Sequence, residues 1–449
     1  MNEMQPNTDE TGQPLPAQLF LLSEESRPSL IEACRCLLRS LPGHYSMSRL
    51  AYSLGRNNQR THRVGLVASN REELETQIGI ALKYLAEGGD HFRTPGGVYY
   101  GSGLGLVGVV GMFPGLGSTY AGMVDELSFV SPVIRQWFKV YSDALSRLRR
   151  ECKVQLDLSI VTGRLIPTIL DNEAHSALIA SLALHDLCLK LSINFDYYMG
   201  HSHGEHAALI ASGALDLLGI QSIAEFVAQI NTHEFLREVN DEAMVAVSGL
   251  SMQLLECEVA KIEDAYIACD NCSKQVIVGG KANAVGVISS RVRELGGQTV
   301  RVSGLRAHHT PCFADGASAL RSEYGKWPFQ VPRRPVYSCY LADQLRFDKC
   351  DVADVIAMQW TDRVKFRDTV RSLFEKGAHV FLEIGPDSRL KSFVNDILRG
   401  ELHVAVSMSS RDRSGRDNVN RFLAELYAAG IPFDIARLDD VLGNNVRQE

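Results

Sequence analysis

Hydrophobic residues along the chain form short continuous runs separated by longer stretches with helical spacing. The runs Val107–Phe113 and Phe195–Met199 are typical of strands that are buried on both faces of a sheet. A long apolar segment with helical character, residues 173–191, leads into the second run. Alternating buried strands and helices predict a parallel α/β sheet, which places ligands at the carboxyl ends of its strands.

The N-terminal part of the chain, residues 17–105, has its own pattern of strands and helices, which predicts a small α/β domain. Ser26 and Asn70 are the predicted N-caps of two of its helices. The segment Gly103–Gly108 matches a dinucleotide-binding fingerprint, which requires a helix directly after it. A strand follows here instead, so we predict no dinucleotide site.

A different pattern begins at Met244. Its β-α-β-β-α-β order predicts a ferredoxin-like small subdomain over residues 244–304. This subdomain is inserted into a large subdomain, residues 106–243 and 305–410, which resembles the α/β-hydrolase sheet. Residues 411–449 are predicted to form a tail that packs back on the domain. The polar residues 1–16 are predicted to form a disordered leader.

The composition limits the classes of function. The net charge of −7 argues against a general nucleic-acid-binding protein. No apolar run approaches the roughly 20 residues that span a bilayer, and the polar N-terminus is unlike a signal peptide. The ten scattered cysteines predict reduced thiols and a cytoplasmic protein. Cys269 and Cys272 form a lone Cys-x-x-Cys, so packed thiols are predicted there and no metal site.

The segment Gly200–Gly204 (Gly-His-Ser-His-Gly) lies between a predicted strand and a predicted helix. This context is that of a nucleophile elbow, in which two glycines let the backbone turn sharply and expose the serine, here Ser202. A serine hydroxyl needs a positioned base, which is usually histidine. Thirteen histidines are present, so composition alone does not choose the base.

Five motifs in order resemble the acyltransferase domains of polyketide and fatty acid synthases, the malonyl-CoA:acyl-carrier-protein transacylase family. They are Phe113–Ser118, Gly200–Glu205, Arg306–Pro311, Gln359–Thr361 and Glu383–Pro386. The resemblance extends upstream, where the first domain is similar to the linker that precedes acyltransferases in modular polyketide synthases. Ketosynthase and carrier domains are absent from the sequence, so we expect a free-standing acyltransferase that acts in trans.

The resemblance implies a role for each of five residues. Ser202 would form the acyl-enzyme, and His309 would act first as general base and then as general acid. The backbone carbonyl of Gln359 would orient His309. The backbone N–H groups of Leu116 and His203 would form the oxyanion hole. No resident cofactor is implied, since the acyl group would arrive on coenzyme A or on the phosphopantetheine of an acyl carrier protein.

One departure from the family concerns the substrate. Family members that use malonyl groups carry an arginine that pairs with the malonyl carboxylate. Counting back from the strand at Met244 places Gln229 at that position, and counting forward from Ser202 makes Asn231 the alternative. Neither side chain is cationic, and burying a carboxylate without a counter-charge is costly. We therefore expect an acyl group without a free carboxylate.

Four further residues are predicted to bind the substrate besides Gln229. The base motif reads Arg306-Ala307-His308-His309, where the family usually has His-Ala-Phe-His or Tyr-Ala-Ser-His, and His175 replaces a usual glutamine. We expect His175, His203 and His308 to pack or to hydrogen-bond a polar acyl chain. Arg306 keeps a dicarboxylic substrate open, because it could supply the missing cation.

Arg389, Lys391 and Arg399 are predicted to dock an acidic carrier protein, although a solvated helix face is the equal alternative. The leading functional hypothesis is transfer of a non-malonyl acyl group to a carrier protein. The alternatives are an editing hydrolase that removes acyl groups from carriers, a malonyl-type transacylase and a non-catalytic docking subunit.

Overall fold

The computed structural model contains three sheets, and each belongs to a separate part of the sequence. It describes residues 17–41, 46–55, 60–103, 105–120, 122–123, 125–152, 173–229, 241–302, 306–348 and 350–442. The predicted leader and the alternative Asn231 lie outside the described residues.

The first sheet is antiparallel and has the strand order β1-β2-β4-β3. Ser26 and Asn70 cap their helices as predicted, because each side chain accepts a hydrogen bond from the N–H three residues later. The elements are β1 (Gln18–Glu24), α1 (Arg27–Ser40), α2 (Met47–Gly55), β2 (His62–Ala68), α3 (Arg71–Glu87), β3 (His91–Arg93) and β4 (Val98–Gly101).

The central sheet has the order β12 (Asp343–Gln344), β11 (Val336–Ser338), β6 (Tyr197–Gly200), β5 (Val109–Phe113), β13 (Val380–Glu383) and β14 (Val404–Ser407), and all neighbours except β11 and β12 are parallel. This confirms the predicted parallel α/β sheet. Its first half comprises β5 (Val109–Phe113), α4 (Asp125–Val130), α5 (Pro132–Cys152), α6 (Glu173–Lys190), β6 (Tyr197–Gly200), α7 (Gly204–Ala211) and α8 (Gly219–Gln229).

The third sheet forms the small subdomain, which is inserted between the halves of the central sheet. Its order β10-β7-β9-β8 is antiparallel throughout, as the βαββαβ pattern predicts. Its elements are β7 (Glu242–Ser248), α9 (Met252–Val259), β8 (Ala265–Cys272), β9 (Gln275–Lys281), α10 (Ala282–Glu294) and β10 (Gln298–Val302).

After the small subdomain the chain returns to the central sheet and then to the first. This part comprises α11 (Ala314–Tyr324), β11 (Val336–Ser338), β12 (Asp343–Gln344), α12 (Val352–Met358), α13 (Phe366–Glu375), β13 (Val380–Glu383), α14 (Arg389–Ile397), β14 (Val404–Ser407), α15 (Gly415–Ala429) and α16 (Leu438–Leu442). Two short 3-10 helices, Pro311–Phe313 and Ile435–Arg437, complete it.

The helix α15 packs across the first sheet, and two glycines allow this close approach. A Cβ at Gly65 would lie 2.8 Å from the carbonyl oxygen of Ala424, and one at Gly101 would lie 2.1 Å from that of Ala428. Any side chain at these positions would push the helix off the sheet.

One helix begins later than its pattern predicts. The apolar spacing predicts a helix from about Tyr120 to Leu127, whereas α4 spans Asp125–Val130. Gly122 lies before it with φ of 78°, a left-handed conformation that does not propagate a right-handed helix. The loop after β5 is therefore longer than the sequence suggests.

Candidate active site

Ser202 lies on a sharp turn between β6 and α7, at the carboxyl edge of the central sheet. Its φ of 55° places it in the left-handed region, where residues with a side chain are uncommon. A Cβ at Gly200 would lie 2.1 Å from the nitrogen of Glu205, and one at Gly204 would lie 2.1 Å from the oxygen of Phe113. Only glycine fits at both positions, so the sequence forces the elbow that presents Ser202.

The glycine loop after β5 packs directly on this elbow. The N–H of His201 donates to the Phe113 carbonyl at 2.9 Å. A Cβ at Gly115 would lie 2.5 Å from the His201 oxygen and 3.5 Å from the His203 nitrogen. This contact brings the backbone that follows Gly115 beside Ser202. Leu116, the first predicted oxyanion-hole residue, lines the same cavity as Ser202.

The hydroxyl of Ser202 and the imidazole of His309 form a hydrogen bond of 2.6 Å between Oγ and Nε2. On its other side the ring donates from Nδ1 to the backbone carbonyl of Gln359, also at 2.6 Å. A carbonyl accepts only, so the neutral ring carries its proton on Nδ1, and Nε2 accepts the serine proton. The two residues are 8% and 3% exposed, which leaves the pair largely dry.

The imidazole of His309 is fixed from two further directions. Its backbone N–H donates to the Trp360 carbonyl at 2.7 Å. The indole of Trp360 stacks on the imidazole, with the ring centroids 5.4 Å apart and the planes 11° apart. His309 also has a positive φ, 62°, so both members of the pair adopt a conformation that their surroundings must hold in place.

Burial lowers the pKa of His309 to about 4, and His201 contributes to the lowering, whereas the hydrogen bond to Gln359 opposes it. The imidazole of His309 therefore remains neutral well below the ordinary histidine pKa of about 6.5. Because this pKa is lowered only in the folded protein, the His309 imidazole of the unfolded chain takes up its proton at a higher pH. The stability that the neutral imidazole contributes to the folded protein is therefore lost as the pH falls from 6.5 towards 4.

We expect the rate of Ser202 acylation to be flat from pH 8 to about 5 and to reach half its maximum near pH 4, because only the neutral imidazole accepts the serine proton. Quenched-flow samples analysed by intact mass would measure the rate against pH, with circular dichroism as the control for acid unfolding. A half-maximum near pH 6.5 would show that His309 has an ordinary pKa.

A cavity of about 120 Å³ lies above Ser202 and His309, between the large and small subdomains. Most of its wall is apolar and comes from both subdomains: Leu116, Met244, Ile277, Val302, Leu390 and Phe393. A chain of polar groups forms one side. His201 Nε2 donates to Asn271 Oδ1 at 2.7 Å, and Asn271 Nδ2 donates to Gln275 Oε1 at 2.9 Å. These three residues are a polar strip that can meet amide groups of a substrate.

Two of the predicted substrate-binding histidines are buried and are not among the residues that line the cavity. His203 is buried at the N-terminus of α7, and its ring meets that of His206 edge to face at 4.8 Å. His175 is buried on α6 and hydrogen-bonds the Tyr141 hydroxyl through Nδ1 at 2.8 Å. Neither lines the cavity above Ser202. Burial lowers the pKa of His203 well below its usual range, so this imidazole is neutral.

The third predicted histidine, His308, does line the cavity. Its ring is held edge to face by Phe313 at 4.7 Å and Trp360 at 5.4 Å. Its buried Nε2 has no hydrogen-bond partner in the described part of the chain. Burial lowers the pKa of His308 well below its usual range, and the neighbouring His309 and Arg306 lower it further.

Two predicted substrate contacts do not fit the structure. Gln229 is the last residue of α8 and is exposed, and it is not among the residues that line the cavity. Because this end of the helix is exposed, the side chain of Gln229 is not placed to contact an acyl group in the cavity above Ser202. Arg306 does not line the cavity either, because its guanidinium is bound by Glu242 and Asp315. It is therefore not available to a substrate carboxylate.

The three predicted docking residues lie in different surroundings. Arg389 lines the cavity above Ser202 and donates from Nε to Asp387 at 2.8 Å. Lys391 pairs with Glu425 of α15 at 3.3 Å. Arg399 is 67% exposed and pairs with Asp396 at 2.6 Å. The side chains of Arg389 and Arg399 are exposed, whereas that of Lys391 is 27% exposed, and the docking of a carrier at these residues stays a prediction.

The sequence did not identify several residues of the site. Asn271 lies inside the segment noted only for Cys269 and Cys272, and the polar strip forms only when β8 meets the elbow. Both of these cysteine thiols are buried, which raises their pKa.

Within the described ranges no group of three His, Cys, Asp or Glu side chains could hold a metal ion. Likewise, none of the described helices is long and apolar enough to cross a membrane.

A serine on a strand–turn–helix elbow, hydrogen-bonded to a buried imidazole, is an arrangement typical of enzymes that transfer acyl groups through serine. The family model for the acyl transferase domain matches residues 110–431. The chain therefore belongs to the acyl transferase domain family, as its motifs predict.

Two relatives illustrate the range of the family. The phenolphthiocerol synthesis polyketide synthase type I Pks15/1 of Mycobacterium marinum is 27% identical over 435 residues, which are 94% of this chain and 20% of that protein. The malonyl CoA-acyl carrier protein transacylase of Bacillus subtilis is 27% identical over 308 residues, 66% of this chain and 92% of that protein. The chain thus spans about a fifth of the first and nearly all of the second.

Solved structures show the same fold. The acyltransferase domain from module 8 of the salinomycin polyketide synthase superposes with a TM-score of 0.76 at 23% identity, covering 93% of this chain and 97% of that domain. The malonyl CoA-acyl carrier protein transacylase of Clostridium perfringens superposes with a TM-score of 0.60 at 21% identity, covering 76% of this chain and all of that protein. The predicted fold class is confirmed.

Proposed function

We propose that this protein transfers a non-malonyl acyl group to an acyl carrier protein through an acyl-Ser202 intermediate. The observation that carries the proposal is the 2.6 Å hydrogen bond between Ser202 Oγ and His309 Nε2 in a cavity lined by both subdomains. The carrier is expected to be a separate protein, and the acyl donor a thioester of coenzyme A or of phosphopantetheine.

The proposed reaction has two matching halves. Ser202 Oγ attacks the thioester carbonyl while Nε2 of His309 takes its proton. The backbone N–H groups of Leu116 and His203 would stabilise the oxyanion. The C–S bond then breaks, and the departing thiolate takes the proton from His309. In the second half the carrier thiol gives its proton to His309 and attacks the ester, and Ser202 recovers a proton as it leaves.

The charges around the cavity favour an acyl group without a carboxylate. Arg389 is the only residue with a permanent charge among the described residues that line the cavity, and Asp387 and the carbonyl of Gly117 already accept hydrogen bonds from it. His308 and His309 are held neutral by burial. A carboxylate placed here would have to compete with Asp387 for the guanidinium of Arg389, and it would meet no unpaired cation among the described residues that line the cavity.

A second cavity supports the carrier protein as acceptor. It has a volume of about 310 Å³ and shares Gln275 and Phe393 with the cavity above Ser202, so the two cavities adjoin. Lys274 and Arg399 are 70% and 67% exposed there, and both pair with Asp396 at 3.7 and 2.6 Å. Two cations against one carboxylate leave a positive charge that suits the phosphate of an incoming phosphopantetheine arm.

Incubation with malonyl and medium-chain acyl thioesters in competition, followed by intact-mass analysis, tests this proposal. We expect the medium-chain acyl mass on Ser202 to predominate by about tenfold, since a buried carboxylate without a partner costs more than 1.4 kcal/mol. Predominance of malonyl would refute the argument from charge and would make Arg389 the cation to test.

The fate of the acyl-enzyme separates transfer from hydrolysis. We expect it to persist in buffer and to be discharged by a carrier protein that bears phosphopantetheine. The same carrier without phosphopantetheine is the matched control. Equal loss of acyl mass with and without the carrier thiol would instead identify an editing hydrolase.

A further inference from the structure

An ion pair connects the two points at which the chain crosses between the subdomains. Glu242 is the first residue of β7, where the chain enters the small subdomain, and Arg306 lies where the chain returns to the large one. Arg306 donates to Glu242 from Nε at 3.2 Å and from Nη2 at 2.8 Å. The side chains are 12% and 3% exposed, so solvent hardly screens the pair.

The same guanidinium also binds the large subdomain. Asp315 of α11 accepts from Nη1 and Nη2 of Arg306, each at 3.0 Å. The ring of Phe313 lies 4.8 Å from the guanidinium carbon. Arg306 therefore joins the start of β7 to α11. These contacts hold the pKa of Arg306 above its ordinary value, chiefly through the hydrogen bond with Glu242.

Glu242 further fixes the loop that carries His309. Its carboxylate accepts a third hydrogen bond from the Ala307 N–H at 2.8 Å. The loop is thus held by Glu242 on one side of His309 and by the carbonyls of Gln359 and Trp360 on the other. Because His309 has a φ of 62°, a loop released on one side can relax to an ordinary conformation and move the imidazole.

We propose that Glu242 and Arg306 are a positioning pair that sets His309 against Ser202 by fixing the two crossings between the subdomains. The inference rests on the proposed role of His309 as base. Neither residue touches the reacting atoms. Met244 lines the cavity above Ser202 and lies only two residues beyond Glu242. The same pair therefore also sets the distance between the cavity walls that the small and large subdomains supply.

The rate at which a fluorophosphonate probe labels Ser202 tests the pair, because the probe reports an activated serine whatever its natural substrate. In Arg306→Gln the buried carboxylate of Glu242 loses its bidentate partner, and we expect labelling to slow by about tenfold or more. The double variant Glu242→Gln/Arg306→Gln leaves no unpaired buried charge but still lacks the ion pair, so its labelling should remain slow; full recovery would show that the unpaired charge alone was responsible. Arg306→Lys keeps the positive charge but not the planar guanidinium, and its labelling rate should lie between those of the unmodified protein and Arg306→Gln.

Arg321→Gln is the matched control, since it removes an arginine of α11 that pairs with Asp351 and Asp354 at the surface. We expect its labelling rate to be unchanged. A second measurement follows the Nδ1 proton of His309 by NMR in protein with ¹⁵N-labelled histidine. This resonance reports the hydrogen bond to Gln359, and we expect it to shift in Arg306→Gln and to remain shifted in the double variant.

An unchanged labelling rate together with an unchanged Nδ1 resonance in Arg306→Gln would overturn the positioning role. If the unmodified protein is not labelled at Ser202 at all, the proposed function fails, and the resonance alone decides the role of the pair. If Arg306→Gln does not fold, as judged by circular dichroism, Arg306→Lys supplies both measurements.

Discussion

Ser202→Ala is expected to abolish the covalent acyl-enzyme. Ser202 carries the only serine hydroxyl in the described part of the chain that hydrogen-bonds to His309, and alanine has no nucleophile to replace it. We expect acylation by thioesters to fall by at least about a thousandfold. Intact-mass analysis after incubation with thioester measures the loss directly.

The matched control for this variant is Ser212→Ala. Ser212 is a buried serine at the end of the same helix, α7, and its hydroxyl donates only to the Leu209 carbonyl at 3.0 Å. This variant should acylate at the normal rate. Acyl mass that persists at a single site in Ser202→Ala would show that the nucleophile is another residue.

His309→Ala is expected to slow both formation and discharge of the acyl-enzyme by about a hundredfold to ten-thousandfold, because one imidazole would serve both halves of the proposed reaction. Single-turnover mass measurements, with and without a carrier thiol, give the two rates separately. A variant that slows only one half would mean that a second base serves the other.

His308→Ala tests the assignment of the base within the His308–His309 dipeptide. His308 lines the cavity but makes no hydrogen bond to Ser202, so this variant should keep the acyl-enzyme chemistry and alter the preference among acyl groups. An inactive His308→Ala beside an active His309→Ala would reverse the assignment.

The sequence allows prediction of those parts of the site that depend on local geometry. The elbow follows from Gly200 and Gly204, since no other residue fits the turn, and the βαββαβ pattern predicts the complete order of the small sheet. Both signals arise from neighbours in the chain. The same holds for the helix caps at Ser26 and Asn70.

Contacts between distant residues were not predictable in this way. The sequence predicts that Arg306 is available to a substrate, because its partner Glu242 lies 64 positions away and an ion pair leaves no local pattern. His201 and Asn271 meet across 70 positions for the same reason. Gln229 was placed by counting across a segment of variable length, and one shifted residue on a helix changes which face it occupies.

The packing of α15 on the first sheet bears on how such proteins can be recombined. The family match ends at residue 431 and so includes α15, yet this helix lies on a sheet formed by residues 18–101, which precede the match. An exchange of residues 110–431 between homologues would therefore pair a foreign helix with the resident Gly65 and Gly101. The unit that can move intact between proteins includes the first sheet.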